Sequence, residues 1–454
     1  MKDTAHFWIA QALLPDGWTR EVRLRVEDGR IAQMEIGQPP PPGAARVNIA
    51  VPGLSNLHSH AFQRGMAGLT EIGGASGDSF WSWRGLMYRF LERLSPEGMQ
   101  AIAELAYAEM LESGFTRVGE FHYLHHDIDG TPYAQRGEMA WRIAEAARTT
   151  GIGLTLLPVF YAHSGFGAQP PLPAQKRLTH DIDGFSALLE DSRRALAKLP
   201  DAVLGLAPHS LRAVAPEQIA QLPALTDGPI HIHIAEQTAE IDACLAWSGQ
   251  RPVQWLYAHA NVDARWCLVH ATHIDEAELS SIVQSGAVAG LCPITEANLG
   301  DGLFPAREFI RRGGRFGVGS DSNVLIDAAE ELRLLEYGQR LLHRGRNVLT
   351  PEPEVSSGRY LFEAALNGGA QALGVEAGLR IGAPADFVEL DTTRTSMALR
   401  DGDTWLDGWL FATCGSAVSR VWRAGKLVVE HGRHRHRAAI EARFRKALEP
   451  LLHD

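Results

Sequence analysis

The chain has 454 residues, of which 45% are hydrophobic, and this is enough for one large domain with a smaller module beside it. The formal net charge of −11 argues against nucleic acid or an anionic membrane as a partner. The four cysteines form no CxxC pair, so we expect no disulfides. Neither a signal peptide nor an apolar run approaching ~18 residues is visible, so we expect a soluble cytoplasmic protein.

Both ends of the chain carry β-strand patterns. The stretch EVRLRVEDGRIAQMEIG alternates apolar and polar residues around Asp28-Gly29, which predicts a hairpin. A similar pattern returns near the end, in ADFVELDTT and SRVWRAGKLVVEHGRH. We therefore predict a small β-sandwich module built from both termini, residues 1–52 plus 380–454. The PPPPG at 39–43 is interpreted as a stiff connector between this module and the rest.

The middle of the chain, 53–379, alternates apolar β-like runs with amphipathic stretches. One of these stretches, SPEGMQAIAELAYAEMLESG, has Ser95 as a predicted N-cap and Gly114 as its stop. This alternation fits a closed (β/α)8 TIM barrel or a doubly wound open sheet. Polar residues cluster where the runs end, which favours the barrel because a barrel gathers those ends on one face. The eight runs are 47–57, 115–123, 152–160, 203–208, 229–235, 265–270, 286–292 and 315–319.

Four side chains at the ends of these runs form a predicted metal site. In VPGLSNLHSH, His58 and His60 are two positions apart and so point to the same side of a strand. His233 follows in HIHIAE, and Asp321 follows in GSDS. Imidazole and carboxylate ligands suit one divalent ion per chain, Zn²⁺ or alternatively Fe²⁺, with one position left for water.

Other polar residues are expected around that site. Glu236, three residues after His233, is a candidate proton shuttle, although an ordinary helix-start carboxylate would look the same. His270 ends the run RWCLVH and is predicted, with Asp321, to orient and activate the water; His273 is a weaker competitor. His231 is interpreted as a hydrogen-bonded residue of the barrel wall rather than a ligand.

Two further features of the sequence give less specific expectations. His122, His125 and His126 are expected to be loop or wall residues, and the glycine-rich segment 68–80 is expected to be a lid.

The motifs HSHAFQR, HIHIAE and GSDS resemble the amidohydrolase superfamily, specifically its mononuclear deaminase branch. The resemblance covers nearly the whole chain. Within that branch the chain looks most like the formimidoylglutamate deiminases, on the stretches NLHSHAFQRGMAGL, DSFWSWRGLMYR, GEFHYLHHD, PHSLRAV, HIHIAEQ and LCPITEANLGDG. One departure is that Asn323 stands where some relatives carry histidine.

The resemblance implies hydrolytic deamination of N-formimino-L-glutamate to N-formyl-L-glutamate and ammonia, in histidine degradation. A metal-activated water attacks the formimino carbon while Glu236 shuttles protons. The implied substrate contacts are Gln63, Arg84, Tyr123, His209 and Arg212. Arginine suits a substrate with two carboxylates because it binds each through paired hydrogen bonds. Without the resemblance, Arg84 stacked on a tryptophan and Arg212 in a surface salt bridge are the alternatives.

Three other functions remain open from the sequence. A guanine-type deaminase of the same branch would share the metal chemistry and lack the arginine clamp. Imidazolonepropionase, a ring-opening hydrolase, acts on a substrate with one carboxylate. A catalytically silent barrel used for assembly would have lost ligands or the acid. A homodimer is expected by analogy alone.

Overall fold

The chain is described from a computed structural model that covers residues 3–71 and 80–452. Strands β1 to β17 lie at Thr4–Leu14, Gly17–Glu27, Arg30–Ile36, Ala45–Pro52, Leu54–Ser59, Phe115–His122, Gly153–Phe160, Val203–Leu204, Ala207–Pro208, Ile230–Ile234, Trp266–His270, Val288–Leu291, Arg315–Val318, Phe387–Leu390, Val418–Arg423, Lys426–Glu430 and Arg433–His434. Helices α1 to α14 lie at Phe80–Leu91, Pro96–Ser113, Glu138–Thr150, Ile182–Leu196, Pro216–Gln221, Thr238–Ser248, Pro252–His259, Glu276–Ser285, Pro293–Leu299, Ala306–Arg311, Ala328–His343, Ser357–Ala372, Asp403–Asp407 and Arg437–Leu452. Most of the expected lid, 72–79, lies outside the described residues.

The strands of the two termini join in one eight-stranded sheet, in the order β17-β16-β15-β14-β4-β1-β2-β3. The β2–β3 hairpin turns at Asp28 and Gly29, which both have positive φ, as a tight two-residue turn requires. The rings of Phe7 in β1 and Trp422 in β15 lie 6.0 Å apart, although three strand spacings separate these strands. A flat sheet would hold them about 14 Å apart. The sheet therefore folds over its own core as a small β-sandwich.

Two expectations about this module were wrong in detail. The run 47–57 is two strands: β4 belongs to the terminal sheet, and β5 begins the barrel. Gly53 separates the two strands. Its backbone lies so close to Thr116 that an added Cβ would be 2.2 Å from that side chain. The PPPPG at 39–43 joins β3 to β4, so it lies within the module instead of linking the module to the barrel.

The barrel strands run parallel in two sheets, β5-β6-β7-β8 and β10-β11-β12-β13, with β9 paired to β7. Bridges Leu206–Ile230 and Ser59–Asp321 join the two sheets at their edges. The fourth strand is broken into β8 and β9, so eight strand positions close the (β/α)8 barrel. The strand ends that carry the polar residues therefore share one face, as the sequence predicted.

The helices outside the barrel follow local signals. In α2, the Ser95 side chain accepts a hydrogen bond from the Gly98 N–H, and Gly114 ends the helix in the left-handed conformation. The last helix, α14, was not predicted; it packs on α2 through ion pairs such as Arg437–Glu109 (3.0 Å). In the described ranges no helix has the length and apolarity to cross a bilayer.

The domain boundaries, 1–52 plus 380–454 for the β module and 53–379 for the barrel, stay a proposal.

A buried ion network ties the module to the bottom of the barrel. Arg423 of β15 pairs with Asp201, before β8, and with Asp386 at 3.0 Å. Arg117 of β6 also pairs with Asp201, at 2.6 Å. Burial raises the pKa of Asp201, but Arg423 and Arg117 outweigh this effect and hold its pKa below the ordinary 3.8.

Replacing Arg423 by methionine should lower the free energy of unfolding by about 3 kcal/mol, because two carboxylates lose a buried partner. The full loss of stability is expected above about pH 3.8, where Asp201 is ionised in both the folded and the unfolded protein. The loss should become smaller as the pH falls through the lower pKa that Asp201 has in the folded protein. Urea unfolding at several pH values measures both effects. Arg312→Met is the control, since Arg312 pairs with exposed acids and its loss should cost under about 1 kcal/mol. Equal losses in the two variants would contradict this role for the network.

Candidate metal centre

Four buried donors meet at the carboxyl-terminal face of the barrel. His58 and His60 come from the end of β5, His233 from β10, and Asp321 from the turn after β13. The Nε2 atom of His58 lies 3.2 Å from that of His60 and 3.0 Å from that of His233. The Oδ1 atom of Asp321 lies 3.4 Å from His58 Nε2 and 3.2 Å from His60 Nε2.

These distances fit one metal ion. Tetrahedral ligands at Zn–N distances of about 2.0–2.1 Å lie roughly 3.3 Å from one another. The four donor atoms all lie within 4.8 Å of each other, and three imidazoles with a carboxylate are a donor set that Zn²⁺ and other divalent transition metals accept.

Backbone carbonyls fix two of the three histidine rings so that Nε2 faces the centre. The Nδ1 atom of His60 lies 3.0 Å from the carbonyl oxygen of Phe121, and that of His233 lies 3.0 Å from the carbonyl oxygen of His209. A carbonyl can only accept, so both Nδ1 atoms carry the proton and both Nε2 lone pairs are free to bind a cation.

The turn after β13 is held in a strained conformation. Asp321 has a φ of 44° and Asn323 a φ of 55°, which non-glycine residues rarely adopt. The Asn323 amide donates to Ser59 Oγ (3.1 Å) and to the His60 carbonyl (3.0 Å), and it accepts from Ser320 Oγ (2.6 Å). Asn323 therefore ties the turn carrying Asp321 to the end of β5, without being a metal donor itself.

Burial dominates the electrostatics of the donors. It lowers the pKa of His58 to about 3 and the pKa of His233 well below the usual value, which keeps both rings neutral. Burial alone would raise the pKa of Asp321, but the adjacent His58 and His60 outweigh it and hold the pKa well below its usual range. Neutral imidazoles beside an ionised carboxylate are the protonation states that metal binding requires.

A buried acid and a buried histidine flank the donors. Oε1 of Glu236 lies 3.7 Å from His270 Nε2, and Oδ2 of Asp321 lies 3.8 Å from the same nitrogen. Burial raises the pKa of Glu236, so its carboxyl group is suited to carry a proton. Burial lowers the pKa of His270, but Glu236, the hydrogen bond to Glu296 and Asp321 outweigh it and raise the pKa well above the usual value.

Two acids of this pocket were not singled out from the sequence. Glu296 Oε1 lies 3.3 Å from His270 Nδ1 and also accepts the Cys292 N–H (2.9 Å). Burial and the neighbouring Glu236 raise the pKa of Asp301 to about 9. Both residues lie in the stretch LCPITEANLGDG, which supported the resemblance but gave no signal for individual roles.

Three of the four donors, His60, His233 and Asp321, line a cavity at this face of the barrel. The five residues implied as substrate contacts all line it as well: Gln63, Arg84, Tyr123, His209 and Arg212. The Gln63 amide donates to the Tyr123 hydroxyl at 2.9 Å, and His209 is held neutral because burial and Arg212 lower its pKa. The cavity therefore brings the carboxyl groups of Glu236 and Asp321 and two guanidinium groups into one space.

Arg84 is oriented by neighbours that the sequence did not reveal. Its Nε donates to the Tyr88 hydroxyl (3.1 Å), and its guanidinium lies over the Tyr88 ring. The Gln175 amide donates to both the Tyr88 hydroxyl (3.2 Å) and the Tyr161 hydroxyl (2.8 Å). Gln175 is buried, and it thereby connects α1 to the loop after β7.

The remaining histidines lie elsewhere. His231 Nε2 contacts the Ala372 carbonyl (2.7 Å) in the barrel wall, as expected, and His273 Nε2 contacts the Asp301 carbonyl (2.8 Å). His122, His125 and His126 form a buried cluster with His180 and are not among the four donors.

Comparison with known proteins agrees with this fold and site. The family model described as "Amidohydrolase family" matches residues 49–428, and the one described as "Formimidoylglutamate deiminase HutF, N-terminal domain" matches residues 7–47. The chain belongs to the amidohydrolase family.

Individual relatives cover nearly the whole chain. A formimidoylglutamate deiminase of Pseudomonas aeruginosa is 53% identical over 97% of this chain and 98% of its own length. The crystal structure of an amidohydrolase from Brucella melitensis superposes with a TM-score of 0.96 at 54% identity, over 99% of this chain and all of that chain. An adenosine deaminase from Xanthomonas campestris, solved with bound zinc, has the same fold, with a TM-score of 0.81 at 22% identity over 99% of this chain and 98% of its own.

Replacing His58 by asparagine should reduce bound metal from about one equivalent per chain to a small fraction, because one of four donors is lost. Elemental analysis of the purified, folded variant measures this. His231→Asn is the matched control: this buried histidine two residues from His233 should leave the metal content unchanged. Full metal content in His58→Asn, or equal loss in both, would argue against the assigned ligands.

Proposed function

We propose that this protein hydrolyses N-formimino-L-glutamate to N-formyl-L-glutamate and ammonia, a reaction of histidine degradation. The substrate assignment rests on one observation: Arg84 and Arg212 line the same cavity as three of the metal donors and Glu236. The 53% identity to a formimidoylglutamate deiminase supports the same reaction. The four free cysteines fit a reducing cytoplasm, where we place the enzyme.

The proposed cofactor is one divalent ion per chain, Zn²⁺ or alternatively Fe²⁺, held by His58, His60, His233 and Asp321. Such an ion supplies Lewis acidity, which brings the pKa of water towards neutrality.

The residues around the donors provide the proton transfers. Glu236 donates its proton to the imine nitrogen, which makes the formimino carbon more electrophilic. A water oriented by His270 and Asp321 bonds to that carbon, and one of these two groups accepts the water's proton. A tetrahedral adduct results. The proton taken from the water then moves, through Glu236, to the nitrogen. The carbon–nitrogen bond breaks and ammonia leaves, while the hydroxyl of the adduct gives its proton to Glu236 as the formyl carbonyl forms, which restores the starting protonation states.

The other end of the cavity binds the glutamate part of the substrate. Arg84 and Arg212 are assigned to the two carboxylates, because each guanidinium can donate two parallel hydrogen bonds to one carboxylate. Gln63, Tyr123 and His209 are assigned as further contacts. In this arrangement the substrate's basic formimino group faces Glu236, and its carboxylates face the two guanidinium groups.

The purified protein should release ammonia from N-formimino-L-glutamate faster than from guanine or imidazolonepropionate. A purine has no carboxylates for the two arginines, and imidazolonepropionate has only one. A coupled ammonia assay covers guanine, and loss of ring absorbance covers imidazolonepropionate. Rapid turnover of either competitor with none of formiminoglutamate would overturn the proposal.

Glu236→Gln should keep its metal and lose between about 10²- and 10⁴-fold in kcat, since the amide cannot donate and return a proton. Steady-state rates and metal content are measured on the same sample. Glu217→Gln, on an exposed position of α5, should behave as the wild type. A near-normal kcat in Glu236→Gln would remove this residue from the mechanism.

Arg84→Met and Arg212→Met should each raise KM roughly 30-fold, as expected for a loss of about 2 kcal/mol from a desolvated charge contact. Arg89→Met, an exposed position on the same helix as Arg84, should leave KM unchanged. The clamp assignment fails if neither cavity variant differs from Arg89→Met in KM or turnover.

A further inference from the structure

Two further residues, His270 and Cys292, form a second group of donors with Asp321, which this group shares with the metal centre. His270 ends β11, Cys292 directly follows β12, and Asp321 follows β13. These are neighbouring barrel strands, so their ends bring the three side chains together. One atom from each lies within 4.8 Å of the others, and all three residues are buried.

The two oxygen atoms of the Asp321 carboxylate face different histidines. Its Oδ1 atom contacts His58 and His60, while Oδ2 lies 3.8 Å from His270 Nε2. A carboxylate with its oxygens divided in this way can bridge two cations, as in two-metal sites whose ions lie about 3.5–4 Å apart.

The other donors suit a soft cation. With His270 Nδ1 donating to Glu296, loss of the proton on Nε2 leaves a lone pair on the side of Asp321, and Glu236 Oε1 at 3.7 Å from Nε2 adds a further oxygen. The Cys292 thiol supplies sulfur, which selects Zn²⁺ or Cd²⁺ over Mg²⁺ or Ca²⁺. His270, Glu236 and Asp321 line the cavity, so a cation reaches them from solvent, and the Cys292 Sγ atom is within 4.8 Å of the donor atoms of His270 and Asp321.

We propose that His270, Cys292 and Asp321, with Glu236, form a second, inhibitory site for a soft divalent cation beside the catalytic ion. Binding displaces the thiol proton, and any proton on His270 or Glu236, into solvent. The occupied site withdraws His270 and Glu236 from the proton transfers described above, so turnover stops. The inhibition rests on the proposed function, whereas the binding does not.

The test starts from the full chain carrying one equivalent of Zn²⁺, in a Cys414→Ser background, because the exposed Cys414 would itself bind Cd²⁺. Cd²⁺ is added while bound metal is counted by equilibrium dialysis and the ultraviolet thiolate-to-Cd²⁺ charge-transfer band is recorded. We expect one Cd²⁺ to bind beside the retained Zn²⁺ with that band, and ammonia release to fall more than about ten-fold. Removing the Cd²⁺ should restore the rate of ammonia release.

Variants separate this site from other thiols. Cys292→Ser should abolish the band and weaken the second site more than about ten-fold, whereas Cys244→Ser, a buried cysteine on α6, should change neither. No second equivalent, displacement of the Zn²⁺ instead, or a band that persists in Cys292→Ser would overturn the site. If Cys292→Ser does not fold, the wild-type count and band decide. If the protein does not hydrolyse formiminoglutamate at all, the dialysis and absorbance results still stand and only the proposed function fails.

Discussion

The candidate centre depends on one seam of backbone hydrogen bonds, where the barrel closes between β5 and the turn after β13. The Asp321 N–H donates to the His58 carbonyl, and the His60 N–H donates to the Asp321 carbonyl, both at 2.9 Å. Without this seam the first and last barrel strands would separate, and the carboxylate would leave the two histidines. Asn323 reinforces the seam with side-chain hydrogen bonds, and this offsets the unfavourable φ of Asp321.

The second constraint is a surplus of buried acid. Glu236, Glu296, Asp301 and Asp321 surround His270 in a region nearly closed to water. Burial and mutual repulsion raise the pKa of Glu236 and Asp301, so these acids tend to hold protons, while Asp321 stays ionised because it faces histidines. Carboxyl groups with raised and lowered pKa values therefore stand next to each other, and this difference suits an acid–base reaction.

Sequence periodicity predicted the parts of the structure that are local or strictly alternating. The two-residue spacing of His58 and His60, the turn at Asp28-Gly29 and the cap at Ser95 each follow from backbone geometry within a few residues. The gathering of His233 and Asp321 followed from the barrel, because parallel strands end on one face.

Features that depend on contacts between distant segments were not predicted. Gln175 meets Tyr88 across 87 positions, and no local pattern distinguishes it from a surface glutamine. Glu296 lies in a helix that begins with proline, where an acid has an ordinary capping explanation. The packing of α14 on α2 was missed because its arginines look like those of any exposed helix. The assignment of 39–43 failed because proline content predicts stiffness, not which strands a segment joins.

The most direct test of the account is a metal titration of protein freed of metal by a chelator. Ammonia release from N-formimino-L-glutamate is measured as Zn²⁺ is added in steps up to one equivalent per chain. The account predicts almost no release at the start and a linear rise that reaches its maximum near one equivalent. Full activity in the metal-free protein would contradict it, because the four converging donors would then have no part in the reaction.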